Sequence, residues 1–389
     1  MDGYVSVIKF AVLAFPLLAI FISSPFILWQ YHKYGSISPL KSLLAYSFAF
    51  YLLCAYCLVI LPLPKIEEVA SLTTPRTQLL PFKFVSDFIR ETSLNPFSPA
   101  TYLVSLTESC FLVPLYNIVL TVPFGIYLRY YFRCSFKKVI ILSFLLSLFF
   151  ELTQLSGLYG LYPRGYRLFD VDDLLLNTFG GLVGFLLAGP VIHILPSRDV
   201  LDARSRARSQ RLSGLRRTTA FLFDLFLFSL LSSFIGIITQ SCLHCSLDSF
   251  WIFLASTIVY FVVFPAFLGC CTPAERFLNL QIVDLDQKPS LRSFYFRLLS
   301  FLFIYILIPF LCIRGIDLLP VDFDRTAARL TFLFGLSTFY LVTAGKYLLT
   351  SKPLLFEKLS RTKMISSLRP SSQSDHQDPN SPNSTKTSS

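Results

Sequence analysis

The chain has 389 residues, 54% of them hydrophobic and only 15% charged, and carries a formal net charge of +11. Such a composition excludes a water-soluble globular domain and a disordered chain, because apolar runs of about 20 residues recur along most of its length. The positive charge lies mostly in short loops between those runs. That placement suits an anionic lipid leaflet better than a nucleic acid, and no array of basic and aromatic residues suited to bases is present.

A hydrocarbon layer of roughly 30 Å takes about 20 helical residues to cross. Nine segments meet that length, near residues 8–29, 42–63, 102–128, 139–158, 174–195, 218–239, 250–270, 298–319 and 328–350. They are too long and too continuously apolar for barrel strands, so the expected fold is all-α, a polytopic helical transmembrane protein of about nine spans. The first run, within residues 1–39, reads as a retained membrane anchor rather than a cleaved signal, since no small-residue cleavage pattern follows it. Most Lys and Arg residues fall on the cytoplasmic side if the N-terminus is outside and the C-terminus cytoplasmic, the orientation expected for this multi-pass membrane protein.

Between the second and third spans lies the longest loop. Its stretch PFKFVSDFIR puts Phe82, Phe84, Val85, Phe88 and Ile89 largely on one helical side, which predicts a short interfacial helix. Glu108 and Asn117 fall in the predicted third span, where unpartnered polar groups are costly, so both should face the bundle.

The most informative segment runs from Phe150 to Gly184, FELTQLSGLYGLYPRGYRLFDVDDLLLNTFGGLVG. Glu151 and Gln154 stand three apart on one helix face. A turn with Gly157, Gly160, Pro163 and Gly165 follows, then Arg164, Arg167, Asp170, Asp172 and Asp173, with Asn177 one helical turn beyond. Gly180, Gly181 and Gly184 would let another helix come close. Glu151, Gln154, Arg167, Asp170, Asp172, Asp173 and Asn177 are therefore the ligand-binding candidates. The arginines would take an anionic group and the carboxylates a cation or an amine. In the competing reading these charges neutralise one another and satisfy the helix ends, with Asp173 as an N-cap.

These motifs resemble the VanZ-like family of bacterial membrane proteins over about residues 40–195. The resemblance is carried by E-x-x-Q at Glu151 and Gln154, by the R-x-F-D-x-D-D run ending at Asp173, and by N-x-x-G-G at Asn177, Gly180 and Gly181. LLPF at Leu79–Phe82 and NIVLTVPFG at Asn117–Gly125 match its upstream elements, with Gln78 where an asparagine is usual. The namesake of that family is associated with low-level resistance to the glycopeptide teicoplanin. The resemblance implies a cell-envelope ligand, either a glycopeptide or a lipid-linked wall precursor.

A polar stretch over residues 196–217 with seven arginines follows, its core at 196–212 reading as a solvated linker held against lipid headgroups. Beyond it, Arg217, Ala220 and Asp224 share one helix face, and Asp224 lies about two turns inside the sixth span. A carboxylate there needs a cationic partner, for which Arg217 is the candidate, or else it binds a proton or sodium. Together with Thr272–Asp284 and with Phe356–Thr362, which includes Glu357, this face resembles the RDD family of membrane domains over residues 213–363. Ala274, Glu275, Asn279, Phe356 and Glu357 depart from its usual residues. That resemblance implies transport as an alternative function, with Arg217, Asp224 and Glu357 as ion-binding or ion-pair candidates. Residues 364–389, rich in Ser, Pro and Asn, read as a disordered tail.

Most of the nine cysteines lie within spans and behave as small apolar residues. Cys242, His244 and Cys245 share a short loop in which a disulfide is open but a four-ligand zinc set is not complete. No nucleophile elbow, P-loop, HExxH or dinucleotide motif occurs, so no catalytic residues and no cofactor are expected. A third function, metal-assisted chemistry on a lipid pyrophosphate at Glu151, Asp170 and Asp172, is physically admissible but lacks a motif. The lipid bilayer is the expected partner and oligomeric state is open.

Overall fold

The computed structural model describes residues 2–209, 212–241, 248–318, 324–349 and 353–368. Cys242, His244, Cys245 and most of the predicted tail lie outside the described residues. Among those described, nine helices are long and apolar enough to cross a membrane, which makes this a polytopic all-α protein. Among the described residues the strands are two short pairs, β1 (Thr77–Gln78) parallel to β2 (Phe169–Asp170) and β3 (Leu280–Val283) antiparallel to β4 (Lys363–Ser366).

The observed spans depart from expectation mainly at polar ends. The third helix is Ser109–Tyr130 and not 102–128, because Glu108 occupies its N-cap and residues 99–105 form short separate turns. The eighth begins at Leu291, seven residues early, because the Ser290 hydroxyl accepts from the Ser293 N–H and sets the start. Met364, Ile365 and Ser366, assigned to the tail, are part of β4, and the stretch expected as an open linker carries helix Arg198–Ser209.

The chain forms two compact units. The first comprises Met1–Ser24 and Ser38–Leu201, the second Pro25–Ile37 and the residues from Asp202 onward, so the first helix, Asp2–Tyr34, belongs to both.

In the first unit, helices Ser109–Tyr130 and Phe136–Leu155 pack on Val171–Ile194. A Cβ on Gly180 would strike the Ile118 carbonyl and Thr121, and one on Gly125 would strike the Gly181 carbonyl, so these glycines let the backbones touch. Val139, Phe124 and Leu128 close one end of this bundle as an apolar core, with Phe185 against them.

The second unit is built round helix Gly214–Ser241. Ala220, Leu278, Leu280, Ile282, Phe294 and Met364 form its core together with Tyr31. Two of its spans contain a π-helical turn, Val259–Val263 and Phe303–Leu307, each ahead of a proline that supplies no N–H. The carbonyl of Tyr305, four residues before Pro309, accepts instead from the Tyr340 hydroxyl at 2.6 Å.

Candidate functional site

Helix Pro39–Ile60 ends at Pro62, leaving its last carbonyls without helical partners. Side chains from the following spans take them. Gln154 Nε2 donates to Val59 O at 3.0 Å, Arg167 Nη1 to the same oxygen at 2.7 Å, and Arg167 Nη2 to Leu61 O at 3.3 Å. The Tyr162 hydroxyl donates to Pro64 O at 2.8 Å. Arg164 similarly serves the backbone, donating to Leu72 O and, at 2.6 Å, to Thr74 O. Both arginines thus close loop and helix ends. Among the described residues no Lys or Arg lies within 4 Å of the carboxylates of Glu151, Asp170, Asp172 or Asp173, so these groups are not joined in close ion pairs.

The carboxylates take hydrogen bonds from neutral donors. Asp172, 3% exposed, accepts from the N–H of Phe82 at 2.6 Å and of Phe84 at 2.9 Å, one on each oxygen. It caps helix Lys83–Glu91 from a distant part of the chain, and Phe82 enters that helix with φ +63°. This is the short helix expected from PFKFVSDFIR. Its apolar side divides, Phe84 and Phe88 turning half inward while Val85 and Ile89 stay exposed. The Phe88 ring lies tilted against Phe111, with centroids 6.4 Å apart, which ties it to the start of the 109–130 helix.

Glu151, 2% exposed, accepts from Asp170 N–H at 3.0 Å through Oε2. Asp170 Oδ1 accepts from Asp172 N–H at 2.8 Å and from Gln78 Nε2 at 3.3 Å. Gln78 also brackets Leu80, donating to its carbonyl at 2.8 Å and accepting from its N–H at 2.5 Å. The amide of Gln78 therefore does the local work of holding LLPF against the Asp170 strand. Burial raises the Asp170 carboxyl above its ordinary range, an effect opposed by the bond from Asp172 N–H. Burial also pushes the Tyr166 phenol up to about 12, so it stays a neutral donor to Ile60 O.

Asp173 is not an N-cap as expected: its Oδ1 accepts from the Asn117 amide, and its own backbone carbonyl accepts from the Ser147 hydroxyl at 3.2 Å. Asn177, 4% exposed, donates through Nδ2 to Ser147 Oγ at 2.9 Å, while Thr121 Oγ1 donates to Asn177 O at 2.7 Å. The structure thus gathers all seven candidate residues of this half at one end of the bundle. It adds Asn117, Thr121 and Ser147, whose polar side chains in apolar helices were the available signal, and Gln78 of strand β1. Glu108 does not join them. It accepts from Ser93 N–H at 3.1 Å and from the hydroxyls of Ser93 and Thr92, and the Ser93 hydroxyl holds its carboxyl below the ordinary range.

Residues 48–193 match the VanZ/LLP1 family model. The matched region contains every group of this cluster, from the carbonyl of Val59 to Asn177. No curated protein and no solved structure matches the chain. In the VanZ-like domain the family's separate motifs meet physically: LLPF supplies the N–H groups that Asp172 caps, and the 117–125 motif supplies the amide on Asp173.

The second unit holds a different polar network. Arg217 does not pair with Asp224; it lies 3.6 Å from Glu357 Oε2 and stacks over Tyr347. Two helical turns separate Arg217 from Asp224, and the nearer acid comes from another element. Arg297, which sequence reasoning missed, donates to Glu357 Oε1 at 2.8 Å and to Thr362 Oγ1 at 3.2 Å. Arg216, also missed and fully buried, donates to Leu278 O at 2.7 Å, Asn279 O at 3.0 Å and Ser366 Oγ at 3.2 Å, binding β4 to the 278–279 turn. Asp224 accepts from Tyr260 OH at 2.6 Å, Thr272 Oγ1 at 2.7 Å and Ala274 N–H at 3.2 Å, all of them neutral. Among the described residues, no three His, Cys, Asp or Glu side chains gather as a metal-binding set.

Proposed function

We propose that the VanZ-like domain recognises a cell-envelope ligand without transforming it, and so protects the cell against glycopeptides of the teicoplanin type. The observation that carries this reading is the lack, among the described residues, of any ion pair to Glu151, Asp170 or Asp173, which accept only from backbone N–H groups and amides. Carboxylates left so in an apolar bundle favour a cationic partner. An amine on a glycopeptide, or on the peptide of a lipid-linked wall precursor, supplies one. Arg164 and Arg167 shape the site through carbonyls of the chain and leave recognition to the acids. The site end faces outward in a bacterial plasma membrane, with the N-terminus outside and the C-terminus cytoplasmic.

The test is teicoplanin and vancomycin susceptibility of a strain in which deleting the protein changes tolerance. Glu151→Gln and Asp173→Asn should restore protein to the membrane yet fail to restore tolerance. Full protection by both variants would remove the reading.

A second reading is favoured by Asp224, a buried carboxylate with only neutral partners, beside a π-helical turn that carries Tyr260. In it, residues 213–363, which resemble the RDD family, carry out proton- or sodium-coupled transport. Glu357 serves there as a structural ion pair. Cation-dependent pH change in proteoliposomes that vanishes in Asp224→Asn is the expected result, and no flux in wild type would end this reading.

A further inference from the structure

Three helices of the VanZ-like domain repeat polar or small residues every four positions, and the repeats meet in layers. At the site end stand Asn117, Glu151 and Asp173. One turn deeper stand Thr121, Ser147 and Asn177, joined by the Thr121 to Asn177 O and Asn177 to Ser147 bonds. Another turn deeper Ser143 Oγ lies against Gly181, and Gly181 against Gly125. In the next layer Val139 is fully buried beside Phe124 and Leu128, and Arg129 donates to Phe185 O at 2.6 Å. The polar seam is therefore a well closed at its inner end by apolar side chains and a guanidinium.

Two buried polar atoms in this well have no hydrogen-bond partner, Asn177 Oδ1 and Ser143 Oγ. The orientation of the Asn177 amide follows from its neighbour. The single hydroxyl proton of Ser147 goes to Asp173 O, so Ser147 can only accept from Asn177, and Nδ2 must face it. That leaves Oδ1 as a free acceptor one turn below Asp173. Of the Asp173 carboxylate, Oδ1 is bonded to Asn117, and no side chain or backbone N–H among the described residues donates to Oδ2. A water would satisfy such acceptors but would leave the carboxylate charge uncompensated.

We propose that the well binds one monovalent cation of sodium size, held by the Asp173 carboxylate and Asn177 Oδ1. The ion enters from the site end, and the closed floor, with the Arg129 guanidinium in it, makes it a bound ion instead of a conducted one. The ion shares Asp173 with the function proposed above and leaves Glu151 and Asp170 to it; because sodium binding is read without an envelope ligand, the two fail separately.

The test uses the purified full chain in detergent, with thermal unfolding followed in sodium chloride and in choline chloride at equal ionic strength. Sodium should raise Tm saturably and choline should not, because a ligand bound only by the folded state stabilises it by mass action. Asp173→Asn should lose the sodium-dependent rise. Asn177→Ser, which keeps a small polar group, should weaken sodium binding about tenfold, the equivalent of about 1.4 kcal/mol. Asp87→Asn, outside the well, should keep the wild-type response. Equal Tm in the two salts overturns the proposal and leaves water in the well. So does a sodium rise that persists unchanged in both well variants. If either variant fails to fold, radioactive sodium binding by wild type, with or without excess choline, decides between a specific site and none.

Discussion

Glu357 of the second unit and the acids of the VanZ-like domain are buried in opposite ways, while Asp224, with neutral donors only, resembles the latter. In the second unit, Glu357 is gripped by Arg217 and Arg297, and Arg216 clamps the backbone on which β4 rests. In the VanZ-like domain the acids and the arginines are kept apart, each satisfied by neutral backbone or amide groups. A buried acid with cations on both oxygens is part of the scaffold. Buried acids kept from their own arginines retain a charge that something else can meet.

That contrast can be broken by mutation. Glu357→Gln should have the largest effect, because it leaves two buried arginines uncompensated; a loss of about 3–5 kcal/mol, read as a large fall in Tm or failure to accumulate, is expected. Glu151→Gln keeps an acceptor for Asp170 N–H, has no cation to strand, and should leave Tm close to wild type. Equal damage from the two would erase the distinction between the units.

Next in size is Asp172→Asn, which replaces a carboxylate that accepts two N–H bonds. A cost of roughly 1.5–3 kcal/mol is expected for a charge-assisted pair. The loss should be local, with faster amide exchange at Phe82 and Phe84 than at Asn117–Gly125. Gly181→Ala, which would drive a methyl group into Ser143, should cost about 1–3 kcal/mol and lower Tm without altering exchange in helix Lys83–Glu91.

The smallest effects concern pH. Burial raises the Asp170 carboxyl, so its neutral form favours folding: that stability is full below the ordinary value of 3.8 and is lost as pH rises through the raised one. Asp170→Asn should remove this downward slope. Glu108 has the opposite sign, since its lowered carboxyl gives stability above the ordinary value of 4.5 that is lost as pH falls. Tm against pH for Glu108→Gln should therefore flatten on the acid side, while Asp170→Asn flattens toward neutral.

The spans and the 150–184 cluster were legible because length and apolar content define one, and charge amid apolar sequence the other. The short helix at 83–91 was legible from its two-sided pattern. Partnership was not. The helical spacing of Arg217 and Asp224 suggested a pair, but spacing describes one helix, and Glu357 approaches from 140 residues away in sequence. Arg164 and Arg167 looked like anion binders because carbonyls freed at Pro62 leave no mark on the side-chain pattern. Glu108 looked embedded until its Ser93 cap showed where the helix begins. Ser143, Ser147 and Thr121 did not stand out in the sequence, since a hydroxyl on one helix gains meaning only when the neighbouring helices are in register.

Asp172 is separated from the Phe82 amide it completes by 90 residues. During synthesis the 83–91 segment therefore leaves the ribosome with its first amides open, and three further membrane helices must be made or begun before the residue that closes them exists. The loop before the third span is finished from behind, by the chain that follows it. A chain arrested before Asp172 should hold that segment in a form that proteases reach, and one extended through helix Val171–Ile194 should shield it, so the order of membrane insertion is written into a single carboxylate.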